Sequence, residues 1–455
     1  MSDNQDRYTI GDLIEEGIII AHKDGNYGSL YPRVAEFGNE GVPFLTAKLI
    51  SDDGQINWEN APRLNTETAE SFNYGFIKEN DVLLSHNATI GRVALVPQLE
   101  ERVLVGTSLT YYRLDSSRLL PRYLATFFRG RDFQNQLASV MSHTTRNQVP
   151  ITAQRKLTVV VPQLHEQRAI ASILGALDDK IELNRRMNAT LESLARALFK
   201  SWFVDFDPVK INAGQMPPSS ASSATHDPSV LELFPSTFQD SELGPIPDGW
   251  SVLPLEDVMD SIIDYRGKTP EKTEAGIPLV TAKIVKSGRI LPITEFIATE
   301  DFDKWMCRGL PKPGDIIMTT EAPLGEVAQL DRRKVALAQR VITLRGKADC
   351  LHNSYLRFLM QSEYFQHDLF ARSSGTTVVG IKQSELRKIS LLVPPIELQN
   401  AFGELVVPMT DLIDENWRQV SILSELRDQL LPRLLSGSLA VSDFHSPEGK
   451  RAWNT

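Results

Sequence analysis

The stretch Gly41-Val-Pro-Phe-Leu-Thr-Ala-Lys48 returns as Gly276-Ile-Pro-Leu-Val-Thr-Ala-Lys283, about 235 residues further along the chain. Further matched segments follow in the same order: Asn80-Asp-Val-Leu-Leu-Ser85 with Gly314-Asp-Ile-Ile-Met-Thr319, Ile90-Gly-Arg-Val-Ala94 with Leu324-Gly-Glu-Val-Ala328, Tyr123-Leu124 with Tyr355-Leu356, and Val161-Pro162 with Val393-Pro394. A repeat this long predicts two duplicated domains rather than a solenoid of short repeats.

A long helix is predicted to close each copy, after a mixed region of short apolar strands and amphipathic helices. In the first copy the helical pattern runs from Glu166 to about Phe203, roughly 57 Å at 1.5 Å per residue. Two apolar seams follow a heptad spacing: Ile170, Leu174, Leu177, Ile181, Leu191 and Leu198, and Phe402, Val406, Met409, Ile413, Val420, Leu423 and Leu430. Such seams fit either packing on the helix's own domain or an antiparallel helix pair, and their length favours the pair.

Polar and helix-breaking residues interrupt these seams at three positions. Asn184 and Asn416 occupy equivalent core-facing positions, where a buried amide fixes the register of paired helices. Pro408 lacks a backbone N–H and is predicted to kink or break the second helix.

The predicted architecture is α+β, with two globular domains separated by two long antiparallel helices in a pseudo-two-fold repeat. A Pro-, Ser- and Ala-rich stretch between the copies predicts a flexible connector. The predicted segments are a first domain at 1–160, a first helix at 161–208, a linker at 209–245, a second domain at 246–394, a second helix at 395–437 and a tail at 438–455.

Composition restricts the function classes. The net charge of −10 argues against a protein that coats nucleic acid by bulk attraction, but local basic faces remain compatible with DNA binding. Cys307 and Cys350 form no C-x-x-C pair, which favours two inert thiols over a zinc site or a disulfide. A polar N-terminus and the lack of a bilayer-length apolar run predict a cytoplasmic location.

Four stretches together resemble the specificity subunits of type I restriction–modification enzymes. They are Glu166-Gln-Arg-Ala-Ile-Ala171 with Leu177-Asp-Asp-Lys-Ile181, Leu198-Phe-Lys-Ser-Trp-Phe-Val-Asp-Phe206, Gly244-Pro-Ile-Pro-Asp-Gly-Trp250, and Leu430-Leu-Pro-Arg-Leu-Leu-Ser-Gly437. The resemblance covers nearly the whole chain. The second helix departs from the pattern, because Glu397-Leu-Gln399 stands where the first helix has Glu-Gln-Arg.

The resemblance implies a subunit that binds duplex DNA and directs adenine methylation or restriction. Two recognition domains would each read one half of a split, asymmetric target, and the helices would space them and dock partners. The implied partners are two methyltransferase subunits and two restriction and translocation subunits, which would carry S-adenosylmethionine, ATP and Mg²⁺. The apolar end of the first helix is the predicted dock: Leu198, Phe199, Trp202 and Phe203.

Candidate DNA contacts are polar or basic residues in loops at equivalent places in the two copies, where they suit base edges and phosphates. In the first copy they are Lys48, His86, Asn87, Thr89, Arg92, Thr144, Thr145, Arg146 and Asn147. In the second copy they are Lys283, Thr319, Thr320, Arg372, Ser373, Thr376, Thr377 and Lys382. Weaker candidates are Tyr27 to Arg33, Tyr265 to Lys268, Thr107-Ser108 and Gln339-Arg340. The same residues also fit ordinary solvated loops.

Motifs expected of an enzyme are missing. Asp207-Pro208-Val209 lacks the second proline of an adenine-methyltransferase loop, and the chain has no G-x-x-x-x-G-K-[ST] phosphate loop. The histidines show no metal-ligand spacing. We therefore expect a non-catalytic chain that binds no cofactor or metal itself; a fused methyltransferase–nuclease and a stand-alone DNA-binding protein are the alternatives.

Overall fold

The chain divides into two compact units that share its two longest helices. The structure, a computed structural model, describes residues 7–87, 89–142, 148–217, 227–267, 269–375, 378–435 and 438–439. Unit 1 comprises Met1–Arg185 and Trp417–Thr455, and unit 2 comprises Arg186–Asn416. Within the described residues, every helix is too short or too polar to span a membrane.

Unit 1 is built from short strands and helices around one central sheet. Its elements are β1 (Arg7–Thr9), α1 (Ile10–Glu15), β2 (Ile19–Asp24), β3 (Phe37–Gly38), β4 (Val42–Leu45), β5 (Arg63–Leu64), α2 (Thr66–Glu70), β6 (Phe76–Ile77), β7 (Val82–Ser85), β8 (Val93–Leu95), β9 (Val103–Val105), β10 (Leu109–Leu114), α3 (Pro121–Arg129), α4 (Arg131–Ser142), α5 (Ile151–Gln154) and β11 (Thr158–Val160). The central sheet has the order β2-β10-β7-β8, a second sheet has the order β3-β5-β4-β9-β6, and β1 pairs with β11.

The helix α6 (Leu164–Phe203) leads from unit 1 into unit 2. Unit 2 then contains α7 (Asp207–Asn212), α8 (Pro228–Leu231), β12 (Phe238–Ser241), β13 (Gly244–Pro247), β14 (Ser251–Pro254), α9 (Leu255–Val258), β15 (Met259–Asp264), β16 (Ile277–Val280), β17 (Val285–Lys286), β18 (Arg289–Ile290), β19 (Phe296–Ile297), α10 (Phe302–Trp305), β20 (Ile316–Thr320), β21 (Leu324–Gln329), β22 (Ala336–Leu337), β23 (Val341–Gly346), α11 (Asn353–Gln361), α12 (Glu363–Ala371), α13 (Gln383–Leu386) and β24 (Ser390–Val393). The helix α14 (Ile396–Leu435) returns to unit 1.

The central sheets of the two units have the same topology, as the repeat predicts, whereas the second sheet has five strands in unit 1 and three in unit 2, with the order β19-β16-β22. The central sheet of unit 2 has the order β15-β23-β20-β21, and β14 pairs with β24 as β1 pairs with β11. The pairing registers also match: Leu109 faces Ser85 in unit 1, and Val341 faces Thr319 in unit 2. The register therefore gives a residue-by-residue equivalence between the units.

A buried ion pair recurs in both units and explains the repeated Asp. Arg113 Nη2 lies 2.7 Å from Asp81 Oδ2 in unit 1, and Arg345 Nη2 lies 2.7 Å from Asp315 Oδ2 in unit 2. Both carboxylates are 1% exposed, and Asp81 raises the pKa of the Arg113 guanidinium through a side-chain hydrogen bond. The pairs anchor the turns that lead into β7 and β20.

A glutamine amide fastens the first turn of each long helix to its unit. Gln167 Oε1 accepts the Leu120 N–H, and its Nε2 donates to the carbonyl oxygens of Arg118 and Pro162. Gln399 makes the equivalent bonds to His352, Cys350 and Pro394. The second helix departs from the Glu-Gln-Arg pattern but retains the glutamine that makes these contacts.

The predicted apolar seams are buried in both long helices. In unit 1, Ile170, Leu174 and Leu177 of α6 join Leu430 of α14 in the core. In the same unit Arg427 Nη1 lies 3.0 Å from Asp178 Oδ1 and Asn184 Nδ2 donates to Gln419 Oε1 at 3.0 Å, so these segments run antiparallel.

Buried amides also lie on the seam of unit 2. Asn416 Nδ2 donates to Asn188 Oδ1 at 2.8 Å, and Asn188 Nδ2 donates to the Ile413 carbonyl at 3.2 Å. Asn184 and Asn416 are 0% and 3% exposed. The prediction of core-facing amides is confirmed.

Two local predictions are wrong, a helix break at Pro408 and a flexible linker in its described part. The helix α14 continues through Pro408, which is exposed, so that water can solvate the carbonyl oxygen one turn earlier. The described part of the predicted linker is structured: α7, α8 and the β12–β13 hairpin lie there, and Val209 and Phe234 are buried in the core of unit 2. Apolar residues that lie between the Pro- and Ser-rich segments account for this burial.

The predicted docking residues are also buried. Leu198, Phe199, Trp202 and Phe203 are at most 5% exposed and belong to the core of unit 2. The Phe203 ring lies 4.8 Å from the Tyr355 ring and 5.2 Å from the Phe402 ring. Since these side chains are covered by their own unit, they do not form an exposed dock. Cys307 and Cys350 are free thiols, as predicted.

Candidate nucleic-acid interface

The central sheet of unit 1 brings several candidate segments to one edge. β7 ends at Ser85 and β2 ends at Asp24, and their partners Leu109 and Thr110 open β10. The segments that follow β2 and β7 and the one that precedes β10 therefore meet at the same end of the sheet. Backbone bonds attach a further segment there, because Val149 N–H donates to the His86 carbonyl and Asn87 bridges Gln148.

We call this edge the strand-end surface of unit 1 and define it by Lys48, Asn87, Ser108 and Gln148. Lys48 belongs to it because the neighbouring Ala47 N–H donates to Ser108 Oγ at 2.8 Å. The Lys48 side chain is exposed, and those of Asn87 and Gln148 are half-buried. Amide and ammonium groups of this kind suit base edges and phosphates respectively.

Unit 2 has an equivalent strand-end surface, defined by Arg266, Lys283, Glu321, Arg340 and Gly380. Glu321 bridges Gly380 as Asn87 bridges Gln148. Arg340 Nε lies 2.8 Å from Glu321 Oε1, with the two side chains 49% and 39% exposed, and Arg266 Nη1 donates to the Ile381 carbonyl at 2.7 Å. Arg266 and Arg340 come from the weaker candidate segments Tyr265 to Lys268 and Gln339-Arg340, and the fold places both arginines at this edge.

Burial corrects three of the predicted DNA contacts. His86 is 2% exposed, Thr319 is 0% exposed and Thr320 is 2% exposed. Thr319 Oγ1 accepts the Glu326 N–H, as Ser85 Oγ accepts the Arg92 N–H in unit 1. These side chains support the loops from below and do not reach a base.

Contacts within the units occupy three more candidates. Arg92 Nε lies 2.7 Å from Asp52 Oδ1, and its Nη1 donates to the Ile50 carbonyl. Arg372 pairs with Asp368 at 2.9 Å, and Ser373 Oγ donates to the Phe370 carbonyl. The guanidinium groups of Arg92 and Arg372 thus brace their own loops.

Of the remaining candidates that the structure describes, Lys283 and Lys382 are exposed. Thr89 is half-buried, but its hydroxyl oxygen is buried and does not present a hydrogen-bonding group at the surface. Outside the described residues lie Thr144, Thr145, Arg146, Asn147, Thr376 and Thr377, and Lys268 among the weaker candidates.

A buried polar network, missed in the sequence, lies beneath the strand-end surface of unit 1. Gln154 Nε2 donates to Thr110 Oγ1 at 3.0 Å and to the Val149 carbonyl at 3.0 Å. Tyr112 OH donates to Gln154 Oε1 at 2.6 Å, and His22 Nε2 lies 3.2 Å from the same oxygen. We call His22, His86, Thr110, Tyr112 and Gln154 the polar layer.

Burial favours neutral histidines in the polar layer, and the hydrogen bonds are compatible with that state. Thr110 Oγ1 accepts from Gln154 Nε2, and its own hydroxyl hydrogen can be donated to His86 Nδ1 at 2.9 Å when that nitrogen carries no proton. Burial lowers the pKa of His86, and nearby Asp24 opposes that shift. Burial also lowers the pKa of His22 to about 4, while its bond to Gln154 opposes the shift.

The polar layer is peculiar to unit 1. The equivalent residues of unit 2, for His22, His86, Thr110, Tyr112 and Gln154 in turn, are Ile262, Thr320, Ile342, Leu344 and Leu386. An alignment of the two copies shows positions that are polar in unit 1 and apolar in unit 2, and this signal could have revealed the layer. The members of the layer do not belong to one sequence segment.

Similarity to known proteins agrees with this architecture. The sequence profile of the type I restriction modification DNA specificity domain matches residues 34–193 and 247–415. The chain therefore belongs to the type I restriction–modification DNA specificity family, which is a family of DNA-recognition components. Among the described residues, no group of three or more His, Cys, Asp or Glu side chains could hold a metal ion.

Relatives cover almost the whole chain. The specificity subunit of type I restriction enzyme MjaIX from Methanocaldococcus jannaschii is 24% identical over 90% of this chain and 90% of its own length. That of HindI from Haemophilus influenzae is 26% identical over 80% of this chain and 87% of its own length. A crystal structure of the S subunit from M. genitalium superposes with a TM-score of 0.55 at 14% identity, covering 95% of this chain and 98% of that one. The predicted family and fold class are confirmed.

Proposed function

We propose that this chain selects the DNA target of a type I restriction–modification enzyme, with each unit binding one half of a split, asymmetric duplex site. One observation carries the proposal: two units whose central sheets have the same topology present different residues at equivalent strand-end positions. Asn87 and Gln148 in unit 1 stand where unit 2 has Glu321 and Gly380. Side chains with different hydrogen-bonding patterns select different bases, so the two half-sites differ.

The proposed partners are methyltransferase subunits that dock on the long helices. Exposed apolar residues of those helices support a dock that replaces the buried one predicted from sequence. In unit 1 they are Leu183 and Ile422, and in unit 2 they are Leu194, Val407 and Leu412. The proposed complex holds two methyltransferase and two restriction and translocation subunits.

The proposed role of the chain is recognition without catalysis. S-adenosylmethionine, ATP and Mg²⁺ are assigned to the partner subunits, where methyl transfer, translocation and cleavage take place. The polar clusters described above support this assignment, because their groups are committed to ion pairs and hydrogen bonds within the units.

The test is co-expression with the proposed methyltransferase subunit, followed by mapping of methylated adenines across a genome. A single split motif with a fixed gap is the expected result, and exchange of residues 1–160 for those of another family member should change one half of it. Ile422→Asp should abolish methylation without unfolding the chain, and Ile20→Asp is the matched control, because Ile20 and Ile422 are both 63% exposed and both belong to unit 1. A continuous motif, or none, would contradict the proposal.

A further inference from the structure

We propose that Asn87 and Gln148 read an A·T base pair in the half-site of unit 1, and that the polar layer beneath them positions these two amides. The inference rests on the proposed function. It adds the chemical identity of one recognised base pair, the residues that recognise it and the reason why they are held in place.

The Asn87–Gln148 pair has hydrogen-bonding groups that suit adenine. Asn87 and Gln148 lie opposite each other in an antiparallel bridge at the strand-end surface, and both side chains are half-buried. A side-chain amide offers one donor and one acceptor, which matches the N6 donor and N7 acceptor of adenine in the major groove. The equivalent pair in unit 2, Glu321 and Gly380, lacks this pattern.

Hydrogen bonds beneath the pair connect the two residues. The two backbones are tied by the bond from Val149 N–H to the His86 carbonyl at 2.9 Å, and His86 N–H donates to the Ser108 carbonyl at 3.0 Å. Gln154 Nε2 donates to the Val149 carbonyl and to Thr110 Oγ1, which contacts His86 Nδ1. One buried glutamine therefore connects the residue next to Asn87 with the residue next to Gln148.

The two units differ in the layer of side chains beneath this pair. The backbone bonds at the bridge recur in unit 2, where Ile381 N–H donates to the Thr320 carbonyl and Thr320 N–H donates to the Arg340 carbonyl. Four of the five equivalent side chains in the layer below them are apolar, namely Ile262, Ile342, Leu344 and Leu386, and the fifth is Thr320. The same backbone folds over an apolar layer, so the hydrogen-bonded layer of unit 1 is not required by the fold. The directional hydrogen bonds of this layer hold the loops of Asn87 and Gln148 in one arrangement, and an amide needs such a fixed orientation to make a bidentate contact with a base.

The experiment uses the full chain reconstituted with its methyltransferase partner and duplexes that carry the mapped site. Each base pair of each half-site is replaced in turn, and kcat/KM for methylation gives the discrimination at that position. Asn87→Ala and Gln148→Ala should each reduce discrimination between A·T and G·C at one position of one half-site by about 10- to 100-fold. Glu321→Ala is the matched control and should leave that half-site unchanged.

The positioning role is tested by giving unit 1 the apolar layer of unit 2. The combined variant carries His22→Ile, His86→Thr, Thr110→Ile, Tyr112→Leu and Gln154→Leu. It should assemble with the methyltransferase and retain kcat at saturating DNA, but lose discrimination at the same base pair as Asn87→Ala. Gln154→Glu keeps the acceptor for Tyr112 and loses the donor, and should produce a smaller loss at that same pair.

The outcomes separate the inference from the proposed function. A wild-type complex that shows no half-site dependence would overturn the proposed function. A split site at which Asn87→Ala and Gln148→Ala leave every position unchanged, or act at a G·C pair, would overturn the reading of A·T. An apolar-layer variant with full discrimination would show that the polar layer does not position the amides.

Discussion

The amide pair between Asn188 and Asn416 gives a quantitative prediction for the long helices of unit 2. The two side chains are 1% and 3% exposed and share a bond of 2.8 Å. Asn416→Ala leaves the Asn188 carbonyl oxygen buried without its donor, and Asn188→Ala leaves the Asn416 amide without its acceptor. Each single substitution should lower the free energy of unfolding by about 2 kcal/mol, because an orphaned buried polar group costs roughly 1–3 kcal/mol.

The double variant Asn188→Ala/Asn416→Ala tests whether the pair acts as one interaction. Removing both partners leaves no orphan at this bond, so the combined loss should be about 1 kcal/mol less than the sum of the two single losses. The assay is urea unfolding of the full chain followed by tryptophan fluorescence. The exposed Glu404→Ala on α14 is the control and should change stability by less than about 0.5 kcal/mol. Strictly additive losses would refute the reasoning.

Three further predictions concern pH, the buried ion pairs and the second half-site. Because the pKa of His22 falls from 6.5 to about 4 on folding, the unfolded state binds more protons between these values. The free energy of unfolding should therefore drop by about 3 kcal/mol as the pH falls from 6.5 to 4, and His22→Gln should remove this drop in urea unfolding series. Asp315→Ala should cost roughly 3 kcal/mol, because it removes the buried carboxylate that accepts two hydrogen bonds from Arg345 and leaves this arginine only its longer ion pair of 3.4 Å with the exposed Asp260. Asp331→Ala in an exposed pair should cost under about 0.5 kcal/mol in thermal unfolding, and equal costs would contradict the burial argument. Arg340→Ala should relax base preference in one half-site only, as read by methylation mapping, since a lone arginine at a base edge contributes about 1–3 kcal/mol of discrimination.

The repeat and the apolar seams predicted most of the fold. Matched strings such as Asn80-Asp81 and Gly314-Asp315 mark equivalent turns because the chain must turn before a buried strand in both units. Ile170 and Phe402 are buried as their spacing indicates. Periodic patterns report local geometry well, because one face of a helix or strand must leave water.

The sequence could not show which residues are covered by other parts of the same unit. Trp202 and Phe203 end an apolar seam, and only the fold shows that their own unit covers them. Thr319 and Thr320 look like loop residues by composition, but they end β20 inside the sheet. The polar layer draws on β2, β10, α5 and the residue after β7, so its members are far apart in sequence and become neighbours through tertiary contacts.

The different interiors of the two units limit how such a protein acquires a new target. Recombination that moved the loops bearing Glu321 and Arg340 onto unit 1 would place them over hydrogen-bonding groups, where their native support is apolar. The inherited module is therefore larger than the proposed DNA-contact surface and includes the five side chains beneath it. An engineer exchanging specificities would do better to cut at the ends of the long helices than at the loops.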